Sequence, residues 1–207
     1  MQEIEFITEG KESSTDTIIL AHSSGEPMNS EFMNYFSKHL SELGFFCIRF
    51  QFPYMTKQII EGRKKPPDKI DSLIKSWCIA VNHINKNNII IGGKSMGGRI
   101  ATLIADKVNP KGIVVLGYPF FNPKGKTKNR TEHLKNINIP ILICQGENDT
   151  FGNRPQVEKL HLSKKINLHW IESANHSLIP LKRTGKTRNQ SWDECIVTIN
   201  KFIKNLD

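Results

Sequence analysis

Ser95 stands in Gly93-Lys94-Ser95-Met96-Gly97, a G-x-S-x-G pentapeptide inside the run IIIGGKSMGGR (89–99). A serine hydroxyl is a weak nucleophile until a base takes its proton. An imidazole must therefore reach it, and a carboxylate must orient that imidazole. His176, in ANHSL, and Asp149, in ENDTFG, are the residues the sequence offers. They follow Ser95 in the order serine, acid, histidine, which is the order expected when the serine sits on a sharp turn between a strand and a helix. The chemistry of such a set is acyl transfer: attack on a carbonyl carbon, an acyl-enzyme, then hydrolysis. It needs no cofactor and no metal.

The letters GKS also invite a phosphate-cradling loop. That loop requires G-x-x-x-x-G-K-[ST], which would place glycine at position 88, where the chain has Asn88. Ile89 to Ile91 would have to be loop, yet they read as buried strand. The turn reading fits the glycines as well, because side chains at Gly93 and Gly97 would collide on a sharp bend.

Acyl transfer also needs donors for the developing oxyanion. The backbone N–H of Met96 is one. The second is expected from Ser23 or Ser24, in HSSGEPM after the first apolar strand. His22 ends that strand and is read as orienting the turn, not as a base. Lys94 occupies the x of the turn and is expected to be exposed. Tyr54, Met55, Phe120 and Phe121 follow strand ends and are candidate pocket residues. Glu147 shares the acid loop and is the second choice for the acid. Lys182, Arg183, Lys186 and Arg188 follow His176 and are candidates to rim the site for an anionic substrate.

The elements that must position these residues alternate. TIILAH (17–22), FFCIRFQF (45–52), NIIIGG (88–93), GIVVLGYP, PILICQG and INLHWIES are short, mostly apolar runs, as expected of strands covered on both faces. Between them helical spacing predicts helices over 30–43, closed by Gly44, then about 68–85, 97–108, 156–164 and 190–206. QEIEFITE alternates and reads as an antiparallel edge strand. Such alternation means right-handed βαβ crossovers and a mostly parallel sheet of six to seven strands with helices on both faces. Ligands bind beyond the carboxyl ends of such strands, and Ser95, Asp149 and His176 all follow strand ends.

The 207 residues suit one domain, 1–207, with no repeat or linker. No apolar run is long enough to span a bilayer. The opening MQEIEFITEGKESS is acidic and polar, unlike a secretory leader. Four scattered cysteines (Cys47, Cys78, Cys144, Cys195) read as free thiols of a reducing cytoplasm. The net charge of +9 is spread along the chain, with bunches at GRKK, KGKTKNR and KRTGKTR read as solvated loops. No nucleic-acid or membrane partner is expected.

The motifs LAHSSGEPMNS, IRFQFPY, RKKPPD, GGKSMGGRIA, QGENDTFG and ANHSL together resemble the α/β-hydrolase superfamily over nearly the whole chain. More narrowly they resemble its compact group, which includes testis-expressed protein 30 and the NSL-complex subunit 3 domain and neighbours the dienelactone hydrolases. The resemblance implies an α/β-hydrolase fold and a small-molecule ester or thioester substrate, in the manner of carboxylesterases and thioesterases. The segment from about 120 to 139 is too short for a large cap domain. Where relatives have a His-Gly-Ala-Gly type turn, this chain has His22-Ser23-Ser24-Gly25. Two further readings stay open at this stage: a hydrolase-fold binding or scaffold protein with little turnover, and a related acyl-transfer or lactone-opening enzyme.

Overall fold

A computed structural model of the chain describes residues 4–122 and 130–206. Most of the KGKTKNR bunch therefore lies outside the described residues, Arg130 excepted. Seven strands form one sheet: β1 (Phe6–Glu9), β2 (Thr17–Ala21), β3 (Phe46–Phe50), β4 (Ile89–Lys94), β5 (Gly112–Leu116), β6 (Ile141–Gly146) and β7 (Ile166–Ile171). Their order is β1-β3-β2-β4-β5-β6-β7. The expected edge strand β1 pairs antiparallel with β3, and every other pairing is parallel.

Helices cover both faces because successive strand residues point to opposite sides. Ile19, Ile91, Ile113, Val115 and Ile143 face one core, where Trp77 and Leu73 of α3 (Ile70–Ile84) and Ile100 of α4 (Met96–Leu103) pack. Ile18, Leu20, Ile90, Val114 and Leu142 face the other. There Phe32 and Phe36 of α1 (Glu31–Glu42) meet Trp192, Ile196 and Ile199 of α7 (Arg188–Lys204). This two-sided burial explains why strands β2 to β6 read as mostly apolar runs.

Three elements differ from the sequence expectation. A helix α2 (Pro53–Glu61) follows β3; proline takes its first position, where no backbone N–H is needed, and Gly62 ends it in a left-handed conformation. The helix expected over 97–108 breaks at Ile104 into α4 and a single turn, α5 (Ala105–Val108). The helix expected over 156–164 is only one turn, α6 (Arg154–Val157), started by an Asn153 capping box. Leu160 and Leu162 pack on the core from irregular chain beyond it.

Chain order reverses about β2: β3 lies on one side of it and β4 on the other. The crevice above the carboxyl ends of β2 and β4 is thus the topological switch point where such sheets bind ligands. Between β5 and β6 the described residues hold one 3-10 turn (Glu132–Lys135) and no large cap. No helix among the described residues is long and apolar enough to cross a membrane.

Candidate active site

The turn from β4 into α4 places Ser95. Its backbone sits at φ 51°, ψ −111°, a region that costs a non-glycine residue about 1–3 kcal/mol. Its N–H is tied to the Leu116 carbonyl at 3.1 Å. The bend works only because its flanks lack side chains. A Cβ on Gly93 would lie 2.1 Å from the Ala21 carbonyl oxygen, and one on Gly97 2.3 Å from the same atom. The loop after β2 can therefore close against the serine.

The loops after β6 and β7 bring the partners to it. His176 Nε2 lies 2.8 Å from Ser95 Oγ, and His176 Nδ1 lies 2.7 Å from Asp149 Oδ2. A carboxylate accepts, so Nδ1 carries the proton and Nε2 turns its lone pair to the serine hydroxyl. Asp149 is 0% exposed. Its Oδ1 accepts from the Phe151 N–H at 2.7 Å, and its Oδ2 accepts from Gln145 Nε2 at 2.8 Å. Phe151 also packs its ring on the imidazole at 4.4 Å. Burial holds the His176 pKa below 6.5; the Asp149 hydrogen bond opposes this, and the charge of Lys94 adds to it.

Gln145 does not figure in the sequence reading. It is buried in β6, accepts from the Tyr118 N–H at 2.7 Å, and donates to Asp149 and to the carbonyls of Tyr118 and Gly152. A polar residue in the apolar strand ILICQG was its only signal. Glu147, the alternative acid, is engaged elsewhere. It accepts from the Ser173 N–H at 3.0 Å and pairs with Arg154 at 2.9 Å, contacts that hold its pKa below the usual carboxylate value.

Lys94 departs from expectation. It is 3% exposed, not a solvent-facing residue of the turn. The strand continues through Lys94, so its side chain points to the face opposite the cleft, over the Phe32 ring at 4.6 Å. There its Nζ donates to the His176 carbonyl. Burial lowers its pKa to about 8, opposed by the charges of Asp149 and Glu26.

His22 orients the turn after β2. Its Nδ1–H donates to the Ser23 carbonyl at 2.6 Å, and its Nε2 accepts from the Phe52 N–H at 3.1 Å. Those partners require the neutral ring, and burial lowers its pKa to about 4. Tyr54 adds its hydroxyl, donating to the carbonyls of Ser23 and Ser24 at 3.3 and 3.2 Å.

Beside Ser95 opens a cleft of about 310 Å³ whose walls include Ser24, Leu73, Met96, Arg99, Arg130 and Phe151. The four aromatic and methionine pocket candidates do not line it. Tyr54 supports the turn, Met55 and Phe120 are core residues, and the Phe121 N–H braces the acid loop through the Phe151 carbonyl at 2.7 Å. Nor do the four cations after His176. Lys182 and Arg183 are exposed, Lys186 pairs with Glu194, and Arg188 pairs with Glu31 at 2.6 Å.

A serine on a strained strand-to-helix turn, hydrogen-bonded to a histidine that is itself held by a buried carboxylate, defines the site of a hydrolase-type fold. Residues 14–204 match the model of the alpha/beta hydrolase domain, and the chain belongs to that family. Its solved structural neighbours agree in fold at low identity. The Xanthomonas campestris serine hydrolase without a lid is 14% identical, over 98% of this chain and 87% of that one, with a TM-score of 0.65. Est1E from Butyrivibrio proteoclasticus is 12% identical over 98% and 94%, with a TM-score of 0.75. The Paleococcus ferrophilus monoacylglycerol lipase is 14% identical over the whole of both chains, with a TM-score of 0.71.

Proposed function

We propose that this chain is a serine hydrolase that cleaves small esters or thioesters through an acyl-enzyme. The observation that carries the reading is the unbroken hydrogen-bond path from Ser95 Oγ through His176 to buried Asp149, opening on a cleft. His176 takes the Ser95 proton as Oγ bonds to the substrate carbonyl carbon. The bond to the alcohol or thiol then breaks, and that leaving group takes the proton back from the imidazolium. Water, deprotonated by His176, attacks the acyl-enzyme and releases the acid and free Ser95. Asp149 stabilises the imidazolium and keeps its tautomer.

The oxyanion donors are assigned to the N–H groups of Met96 and Ser24. Met96 opens α4, so its N–H has no carbonyl partner within the helix. His22 and Tyr54 hold the Ser23 carbonyl on one side of the turn. A trans peptide directs the following N–H the opposite way, and Ser24 lines the cleft with Ser95 and Met96. Neighbours described as a serine hydrolase and a monoacylglycerol lipase support this reaction class.

Hydrolysis of a panel of short-chain p-nitrophenyl esters and acyl thioesters tests it. Wild type is expected to turn over members of the panel and folded Ser95→Ala none; equal rates for both proteins would refute the assignment.

A further inference from the structure

The cleft beside Ser95 carries two cations that the proposed reaction does not use. Arg99 lies one turn into α4, its N–H donating to the Ser95 carbonyl at 2.9 Å. Arg130 returns from the segment after β5, its Nη1 donating to the carbonyls of Pro119 and Phe121 at 3.4 and 3.3 Å. Both residues are partly buried, and both line the cleft.

Their positions are braced from behind. Thr102 Oγ1 donates to the Arg99 carbonyl and the Tyr118 hydroxyl to the Arg130 carbonyl, each at 2.7 Å. Among the described residues neither guanidinium forms an ion pair, although Asp68 also lines the cleft. Arg99 Nε is buried without a hydrogen-bond partner. The two charges are close enough for Arg99 to add to the burial that lowers the Arg130 pKa. Two like charges held toward one cavity repel each other and Arg99 Nε goes unused as a donor, and an anion between them would relieve both costs.

We infer that this cleft selects esters bearing a second, anionic group, a carboxylate or a phosphate, which Arg99 and Arg130 hold while Ser95 meets the ester carbonyl. Guanidinium forks match both anions in geometry. The inference rests on the hydrolase reading for its ester, but not for its anion site.

Calorimetric titration of glutarate and of inorganic phosphate into Ser95→Ala at low salt tests the anion site without turnover. One or both anions are expected to bind, and Arg99→Met and Arg130→Met, each checked for folding, are expected to weaken binding about tenfold or more. Glutarate binding alone assigns a carboxylate, and phosphate binding alone a phosphate ester. No binding of either, or binding unchanged in both variants, overturns the inference.

Turnover separates the two readings. Wild type is expected to prefer mono-p-nitrophenyl glutarate over neutral p-nitrophenyl pentanoate in kcat/KM by about tenfold or more. That ratio should collapse in Arg130→Met and persist in Lys201→Met, a change on the distant α7. Where glutarate binds, equal turnover of the two esters overturns the substrate inference and leaves the hydrolase standing. Anion binding with no turnover of either ester upholds the anion site and counts against the hydrolase.

Discussion

Lys94 Nζ donates to the main-chain carbonyl of His176, so the residue before Ser95 holds the loop that carries His176. The link joins two elements 82 positions apart in the chain. It also puts a cation near the imidazole, where it disfavours the protonated ring. Only neutral His176 can accept the Ser95 proton, so activity should fall as pH falls through the His176 pKa. Burial, aided by Lys94, places that acid limb below 6.5. Lys94→Met keeps the packing on Phe32 but removes the charge and the tie. Its kcat/KM profile is expected to show the acid limb moved upward toward 6.5, with kcat reduced. An unmoved limb would mean that Lys94 acts only as a packed residue.

Asp149→Asn should leave the fold intact, because the side chain keeps its shape in a fully buried site. The amide cannot hold the imidazole in the required tautomer. A loss of kcat of about 10⁴, as for the matching change in a serine protease, is expected. Circular dichroism and steady-state kinetics on one preparation check it. Near-normal activity would transfer the acid role, with Glu147 the next residue to test.

Gln145→Leu removes one donor from Asp149 and the acceptor of the Tyr118 N–H, while filling similar volume. Leaving a buried backbone donor unpaired costs about 1–3 kcal/mol. Urea unfolding should show that loss, and kcat should fall because Asp149 is held less firmly. Unchanged stability would show that water replaces the amide.

Acid should destabilise the fold through its buried imidazoles. Burial lowers the pKa of His22 and of His133 to about 4 each; the nearby Arg99 charge adds to the second. Both groups are neutral in the native state over a range where the unfolded chain, near 6.5, is protonated. Their stabilisation is present above pH 6.5 and is lost as pH falls toward 4. Within that window each contributes a slope of up to about 1.4 kcal/mol per pH unit, less for the partly exposed His133. Urea midpoints measured at pH 7, 5.5 and 4.5 check it. His22→Gln should show a lower stability at pH 7 and a shallower slope.

Much of this architecture was legible in the sequence, for identifiable reasons. Strands covered on both faces leave unmistakable apolar runs, and Gly93 and Gly97 mark the one bend that can expose Ser95. The loops that carry Asp149 and His176 then follow from strand order. What was not legible depends on direction and distance. Nothing in GGKSMGG tells which side of the sheet Lys94 takes, and the structure turns it inward. Arg130 sits in a basic bunch that reads as solvated loop, yet the chain folds it back to the cleft. Val157 and Leu160, three residues apart, mimic helical spacing, while Leu160 packs from irregular chain. Each depends on contacts between residues far apart in sequence, which no local pattern encodes.

The central claim is that Ser95 is an activated nucleophile. Intact-mass analysis after treatment with a fluorophosphonate, wild type beside Ser95→Ala, tests it most directly. The account predicts a single covalent adduct on wild type and none on Ser95→Ala. A folded wild-type protein that takes no adduct, or a Ser95→Ala variant labelled equally well, would contradict it.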